Sequence, residues 1–537
     1  MVPSEFMNKN RLIKFSLIVM VAIGVVLSPY IAPIYWDEMH QVQLGEWNLN
    51  QYVSLFDQVF NTSFSDPKYA GAYLEDNKYH GAIFQAFCAF LGKVAGLALP
   101  TFDIKDFIVL KHFCVWLVFL IGTCGVYAIA ERRLKSSLGG FLAAGMFFFS
   151  PRLFGNAFYN AKDLVFLSFF VVSVNFILLA AENRKISSIV WAALFTALSV
   201  GSRAIGIFSL FLAAFVWFLT WRRDGWGLRK LFGVIGGFVA LTLLFIYAFF
   251  PILWHSPIRE VHNMFSLMSH YSIHTDGSFL NGKFVRSSQD PFYLLHWMVI
   301  TLPFTFIAAS LCGALPALAL IAKRTCRLRL WKDQKELCDY VMFGLGFAPV
   351  LMFMIKPQWI YDGWRHFYFL VPFLSISAAV GIFNISSLFV CTRTRHVAEW
   401  YLGIPVVLES IIGIVNFFPY PNCYFNTSAG HNLTSRYDVD IQGTARYDAL
   451  FRLLSSYQTI SKPIKVSGKT WGIEAVLPRL GIAGKSIIKQ NDAPDYIIGD
   501  DRELSQYNKR HYREVSVIKT VGGEVILRIL TPIDKRE

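Results

Sequence analysis

Four clusters of polar residues interrupt an otherwise apolar chain. The stretch WDEMHQVQLGEW, residues 36–47, sets Asp37, Glu38, His40 and Glu46 just after a long hydrophobic run. A carboxylate there can cap the end of a membrane helix, or it can act as a general base on an incoming hydroxyl or amine. SPRLFGNAFYNAKDLVF, residues 150–166, places Arg152, Asn156, Asn160, Lys162 and Asp163 between apolar segments. Its cations suit headgroup anchoring or phosphate binding, and Asp163 suits a helix N-cap. In SVGSRAIGIF, residues 199–208, Arg203 is flanked on both sides by apolar helix. A guanidinium in that setting needs an anion, either a phosphate that it grips with two parallel donors or a carboxylate within the bundle. KPQWIYDGWRHFYFLVPF, residues 356–373, offers Tyr361, Asp362, Arg365 and His366. Its Trp and Tyr side chains suit an interfacial belt, whereas Arg365 and His366 open a helix, where cations oppose the dipole unless an anion stands beside them.

The elements that must hold these clusters are membrane helices. The 537 residues are 55% hydrophobic and 16% aromatic, with mean hydropathy +0.45, which ordinary soluble domains do not sustain. Met7 reads as the natural start, with MVPSEF an addition ahead of it. About 20 apolar residues cross a bilayer. The runs 15–34, 106–130, 137–151, 163–181, 188–201, 204–220, 231–253, 296–322, 337–355, 366–389 and 399–418 therefore predict eleven spans. Simple alternation puts NKNRLIK, ERRLK, ENRK, WRRDGWGLRK, KRTCRLRLWKDQK and TRTRH on one side, which is cytoplasmic by the positive-inside rule. This accounts for the formal charge of +14 without a nucleic-acid partner. The loops 35–105, 152–162, 254–295 and 356–365 face outward, and the first is long enough to carry function and interfacial helices such as 80–99.

Residues 1–418 thus form a membrane domain, with the N-terminus in the cytoplasm. Residues 419–537 read as a small soluble α/β domain outside it: YDALFRLLSSY has helical spacing, while KPIKVSG, PDYIIGD and the Gly-Gly hairpin VSVIKTVGGEVILRIL are strands. The eight cysteines fall into no metal or disulfide pattern, and the histidines of 254–295 have no clean ligand spacing.

Together, the DE after span one, SPRLFGNAFYNAKD, SVGSRAIG and YDGWRHFYFLVP resemble the GT-C glycosyltransferases. Within that superfamily they resemble the bacterial members similar to protein O-mannosyltransferases, glycosyltransferase family 39. WDEMH is similar to that family's Asp-Glu-x-His motif, and FFPYPNCYFNTSAGHN also looks like the bacterial branch. The resemblance implies a multi-pass GT-C fold in a bacterial inner membrane, with the C-terminal domain in the periplasm. It also implies transfer, with inversion, of one sugar from a polyprenyl-phosphate donor to an extracytoplasmic acceptor. That acceptor is a glycan such as O-antigen or lipopolysaccharide, lipid A, or a protein. Asp37 becomes the base and Glu38 its neighbour. Arg203, Arg365, His366, Lys162 and Arg152 become contacts for the donor phosphate, and His40, His80, Tyr361 and Asp362 contacts for acceptor or sugar. His80 departs from the family's Pro-rich form of that loop, which leaves the acceptor open. No cofactor is implied beyond the lipid-linked donor; a divalent metal stays open.

The alternative is a polyprenyl-lipid transporter or flippase, for which Arg203 would line the pathway. The chain shows no inverted repeat. A scaffold reading accounts for the soluble tail but leaves Arg203 without a purpose.

Overall fold

The computed structural model describes residues 3–28, 30, 31, 35, 37–66, 81–99, 101–269, 277–326, 330–389, 391–455, 464–468, 487–489, 494–505, 507 and 511–533. The first helices are α1 (Pro3–Leu27), α2 (Glu38–Phe60), α3 (Ala82–Ala98), α4 (Ile104–Leu134), α5 (Ser137–Phe148), α6 (Pro151–Asn156), α7 (Asp163–Asn183) and α8 (Ile186–Ser202). Then come α9 (Phe208–Arg223), α10 (Leu228–Phe249), α11 (Pro257–Ser269), α12 (Tyr293–Thr301), α13 (Phe304–Cys326), α14 (Gln334–Gly346), α15 (Ala348–Ile355), α16 (Val371–Ser386) and α17 (Thr392–Asn416). Two short helices of the tail are α18 (Leu433–Arg436) and α19 (Thr444–Ser455).

Among the described residues, nine helical segments are long and apolar enough to cross a membrane. Sequences apolar on every face become helices because a helix satisfies its own backbone hydrogen bonds where water cannot. The spans Asp163–Asn183 and Arg365–Ser386 are 89% buried against only 17% for Leu228–Phe249, so α7 and α16 form the centre of the bundle and α10 its rim.

Nine of the eleven expected runs give helices of that length, and two give shorter ones. The runs at 137–151 and 188–201 fold as α5 and α8, only 12 and 17 residues long. At 1.5 Å per residue these reach about 18 and 26 Å, short of a hydrocarbon core about 30 Å thick. The run at 296–322 is broken after Thr301, because Pro303 forces Leu302 into an extended conformation. The first span ends at Leu27, seven residues earlier than its hydropathy indicates. The expected interfacial helix at 80–99 is α3, packed so tightly on α2 that a Cβ at Gly45 would meet the Gln85 carbonyl at 2.5 Å.

The basic helix ends collect at one end of the bundle. There Arg132 of α4 bonds Asn175 of α7, and Arg184 pairs with Asp224. Arg133 grips Asp339 of α14 with Nε at 2.5 Å and Nη2 at 2.9 Å. Asp37, Asp163, Arg203 and Arg365 lie at the other ends of their helices.

Beyond α17 the chain first runs over the bundle. Asn426 Nδ2 donates to the carbonyls of Val299 and Leu302 at 2.6 and 2.7 Å, fixing this segment to α12. A five-stranded sheet follows. A small hairpin, β1 (Ser278–Leu280) and β2 (Lys283–Val285), belongs to the loop before α12. The sheet comprises β3 (Ile464–Ser467), β4 (Ile487–Lys489), β5 (Tyr496–Gly499), β6 (Tyr512–Lys519) and β7 (Val525–Pro532), ordered β4-β3-β5-β7-β6. The expected helix and the strands at KPIKVSG, PDYIIGD and the Gly-Gly hairpin are all present, while β4 was not anticipated.

The Arg133–Asp339 pair generates a test. Both side chains are under 10% exposed, so Asp339→Ala strands a buried guanidinium, at a cost of about 3 kcal/mol or more. Thermal unfolding in detergent should show a clear loss for that variant, and most of it should return in Arg133→Met/Asp339→Leu.

Candidate functional site

The start of α7 explains how the polar clusters meet. Asn160 Oδ1 accepts from the backbone N–H groups of Lys162 and Asp163, at 3.3 and 2.9 Å, and so caps the helix. Its amide group donates to Asn156 Oδ1 at 2.9 Å and to Asp163 Oδ2 at 3.0 Å. With the cap supplied by Asn160, Asp163 is released for another purpose. Its carboxylate stands at a helix N-terminus, where negative charge is favoured, and is only 2% exposed.

Two arginines close on it. α8 stops at Ser202, Arg203 is extended at φ −149° and ψ 135°, and a short 3-10 turn, Ala204–Ile207, restarts the helix. Gly206 permits this break, since a Cβ there would lie 2.6 Å from the backbone of Ser199. The extended residue delivers the Arg203 guanidinium to Asp163 Oδ1. From the far side of the sequence, Arg365 Nη1 reaches Asp163 Oδ2 at 3.5 Å. Arg365 Nη2 also donates to Asp362 at 2.8 Å. Asp362 and Gly363 have φ of +56° and +67°, a left-handed pair that turns the chain back so that Asp362 faces Arg365.

Asp37 joins through Lys162, whose ammonium donates to Asp37 Oδ2 at 3.2 Å. Asp37 occupies the N-cap position of α2 yet makes no capping bond with its side chain. The carboxylate is deep-set but still 39% accessible from outside. Burial alone would raise its pKa; Lys162 and then Arg365 overcome that and hold it at about 2. His40 stands close enough to assist. Asp362 behaves oppositely: burial, with Asp37 and Asp438 adding to it, raises the carboxyl despite the adjoining Arg365.

The result is a cluster of opposite charges: Lys162 holds Asp37, Asp163 lies between Arg203 and Arg365, and Arg365 also holds Asp362. Among the described residues, the Nε–H donors of Arg203 and Arg365 are buried without a hydrogen-bond partner, as is the Tyr159 hydroxyl. Unpaired buried donors are costly and are a natural place for an anion. Tyr361 lies under the Arg365 guanidinium at 5.2 Å, and its ring meets that of His366 edge-on at 4.7 Å.

Other expected site residues fall differently. Glu38, expected as the active neighbour of Asp37, is turned into the bundle and is fully buried. It accepts from Lys111 at 2.5 Å and hydrogen-bonds His112 at 2.8 Å. Burial opposes its ionisation, but Lys111 and His112 keep its pKa below the usual value. It ties α2 to α4 and is not open to substrate. Arg152 is wedged between rings, 4.7 Å from Phe425 and 5.5 Å from Trp297, and its Nε donates to the Tyr424 carbonyl at 2.9 Å. It still lines a narrow cleft with Arg365, Tyr159 and Asp362. His80 lies outside the described residues, as do His270 and His274. Among the described residues no three His, Cys, Asp or Glu side chains converge as a metal would require.

Sequence reasoning passed over Asp163 as a mere cap and missed Lys111 and His112. Two adjacent polar residues inside an apolar span were the available signal for the latter.

No protein-family model and no curated protein matches this sequence. Two solved structures of ArnT from Cupriavidus metallidurans align with 96% of this chain. The apo-state structure is covered over 98% of its chain with TM-score 0.48, and the one bound to undecaprenyl phosphate over 97% with TM-score 0.44; each shares 12% identity. Both likenesses are loose.

Lys162 carries the site's testable electrostatics. Because its charge lowers the Asp37 pKa, removing it lets burial raise that pKa, and the carboxylate is then protonated as pH falls through the new value. Infrared titration referenced to Asp37→Asn should show no Asp37 protonation between about pH 4 and 7 in the wild type, and a clear carboxyl signal there in Lys162→Met.

Proposed function

We propose that the chain is an integral-membrane glycosyltransferase of the GT-C type, which takes one sugar from a polyprenyl-phosphate donor and passes it to an acceptor outside the cytoplasm. The observation that carries this reading is an accessible Asp37, held by Lys162 and within electrostatic reach of Arg365, beside an Arg203–Asp163–Arg365 bridge whose buried arginine Nε donors have no partner among the described residues. The motifs that hold these residues are the ones that resemble the superfamily.

The chemistry follows from the arrangement. An acceptor hydroxyl oxygen attacks the anomeric carbon of the sugar while its proton passes to the Asp37 carboxylate. The anomeric carbon–oxygen bond to the phosphate breaks on the opposite face, with inversion, and its electron pair leaves with the phosphate oxygen. Negative charge therefore grows on the lipid phosphate, where Arg365 and Arg203 interact more strongly with the product-like state than with the substrate. Because they are already fixed by Asp163 and Asp362, little reorganisation is needed. A phosphate that draws on Lys162 and Arg365 also loosens their hold on Asp37, making it a stronger base when the donor is in place.

The same reading places the protein in a bacterial inner membrane, with the Arg- and Lys-rich helix ends in the cytoplasm and the Asp37 end, together with the C-terminal domain, in the periplasm. It gives His366, Tyr361 and Lys162 contacts to the donor's phosphate and sugar. Arg152 becomes a second-rank phosphate contact, and Glu38 acts only by holding α2.

Two substitutions separate the roles. Asp37→Asn should lower transfer from a polyprenyl-phosphate sugar by about 100-fold or more while the lipid phosphate still binds. Arg365→Gln should instead weaken binding of that lipid by about tenfold or more, the loss of a charged hydrogen bond. Near-normal turnover in Asp37→Asn removes the base from the mechanism.

A further inference from the structure

Between the loops at the Asp37 end and the C-terminal domain lies a cavity of about 520 Å³. That is within the range of small-molecule sites and too large to be a packing defect. Half of its 14 lining residues are charged: Asp362, Asp438, Asp440, Asp500 and Glu503 against Arg446 and Arg502.

These charges are held in place from behind. Arg502 pairs with Asp438 at 2.6 Å and with Asp500 at 3.5 Å, and lies over the Phe279 ring at 4.5 Å. Arg446 pairs with Glu503 at 2.6 Å. Asp438 also accepts from the Phe279 N–H at 2.6 Å, and Asp440 accepts from the N–H groups of Ala445 and Arg446, both at 3.1 Å. A carboxylate has room for about four hydrogen bonds, so each keeps lone pairs for a ligand, while its position is set in advance. Fixed acceptors in a chamber of this size suit a polyol or an ammonium group.

The lining also disfavours other ligands. The five-stranded sheet contributes Ile526 and Leu527 of β7, an interior strand between β5 and β6, so that sheet offers an extended peptide no edge here. Carboxyl groups outnumber guanidinia five to two, and both guanidinia are already paired, so a phosphorylated or carboxylated ligand finds few donors.

The cavity communicates with the chemistry through Asp362. This side chain lines both the cavity and the narrow cleft that contains Arg365, and it is within electrostatic reach of Asp37 on one side and Asp438 on the other. Tyr447 of α19 likewise feels Glu38 and Asp37.

We propose that this cavity, given the transferase reading above, holds the sugar end of the acceptor, and that the acceptor is a neutral or amino-bearing carbohydrate whose hydroxyl passes Asp362 to reach Asp37. The C-terminal domain is then a wall of the substrate site and selects the acceptor.

Ser505 lines the cavity, is exposed, and among the described residues bonds only its own helical turn, its Oγ donating to the Arg502 carbonyl at 2.6 Å. Ser505→Trp fills the chamber from its rim and leaves every ion pair in place; Ser505→Ala is the control for the lost hydroxyl. Envelope glycans and envelope proteins from cells making wild type, each Ser505 variant or Asp37→Asn should be compared by mass spectrometry, with thermal unfolding confirming that each variant folds. The expected result is a one-sugar increment on an uncharged or amine-bearing carbohydrate. Wild type and Ser505→Ala should produce it, Ser505→Trp should reduce it at least tenfold, and Asp37→Asn should abolish it. An undiminished increment in Ser505→Trp, or an increment carried by a peptide or an anionic sugar, overturns the cavity's role and leaves the transferase reading standing. No increment in wild type overturns both.

Discussion

A guanidinium among apolar helices must bring its counter-ion with it, and Arg203 and Arg365 share one. Asp163 receives Arg203 on one carboxylate oxygen and Arg365 on the other. Those two arginines come from a break between α8 and α9 and from the turn before α16, segments that are 162 residues apart in sequence. The bridge fixes how these elements meet at one end of the bundle. It also sets the spacing of the two cations independently of any ligand. Removing either partner would leave an uncompensated charge in a low-dielectric setting, so the bridge is stabilised mainly by the cost of breaking it.

A second buried group plays the corresponding part for α2. Glu38, held by Lys111 and His112, anchors the first turn of that helix to α4, and the neighbouring Asp37 is thereby presented to Lys162. Adjacent acids in the sequence thus divide the work, one structural and one accessible. The two networks are complementary: one positions cations, the other positions a carboxylate whose pKa Lys162 and Arg365 depress. The ionised state of Asp37 is therefore a property of the assembled bundle.

Hydropathy and the basic loops made much of the fold legible, because backbone self-satisfaction in lipid leaves few options for an apolar run. It was less informative about lengths: α5 and α8 have only 12 and 17 residues, although α8 runs from the basic end of the bundle to Arg203 at the Asp163 end, and the break at Pro303 divides a run that hydropathy averages over. The tail's helix and its three longer strand signals were visible because their periodicity and Gly-Gly turn are local. For the site, Asp37, Arg203, Arg365, Asp362 and Lys162 could be singled out from charge in apolar context. Their pairing could not, since the Asp163 bridge joins residues brought together only by tertiary packing. Asp163 was hidden by a competent local explanation, helix capping, which in the folded chain Asn160 provides. Glu38 looked equivalent to Asp37 because sequence adjacency does not reveal that successive helical residues face different neighbours.

The central claim is that Arg203 and Arg365 form a preset anion site facing Asp37. Determining the structure of the full-length protein with a polyprenyl phosphate bound tests it most directly. The expected result places the phosphate oxygens about 3 Å from the Arg365 and Arg203 guanidinia, with Asp37 across the position a sugar would occupy. A phosphate bound elsewhere, with the Asp163 bridge undisturbed and neither arginine in contact, would contradict it.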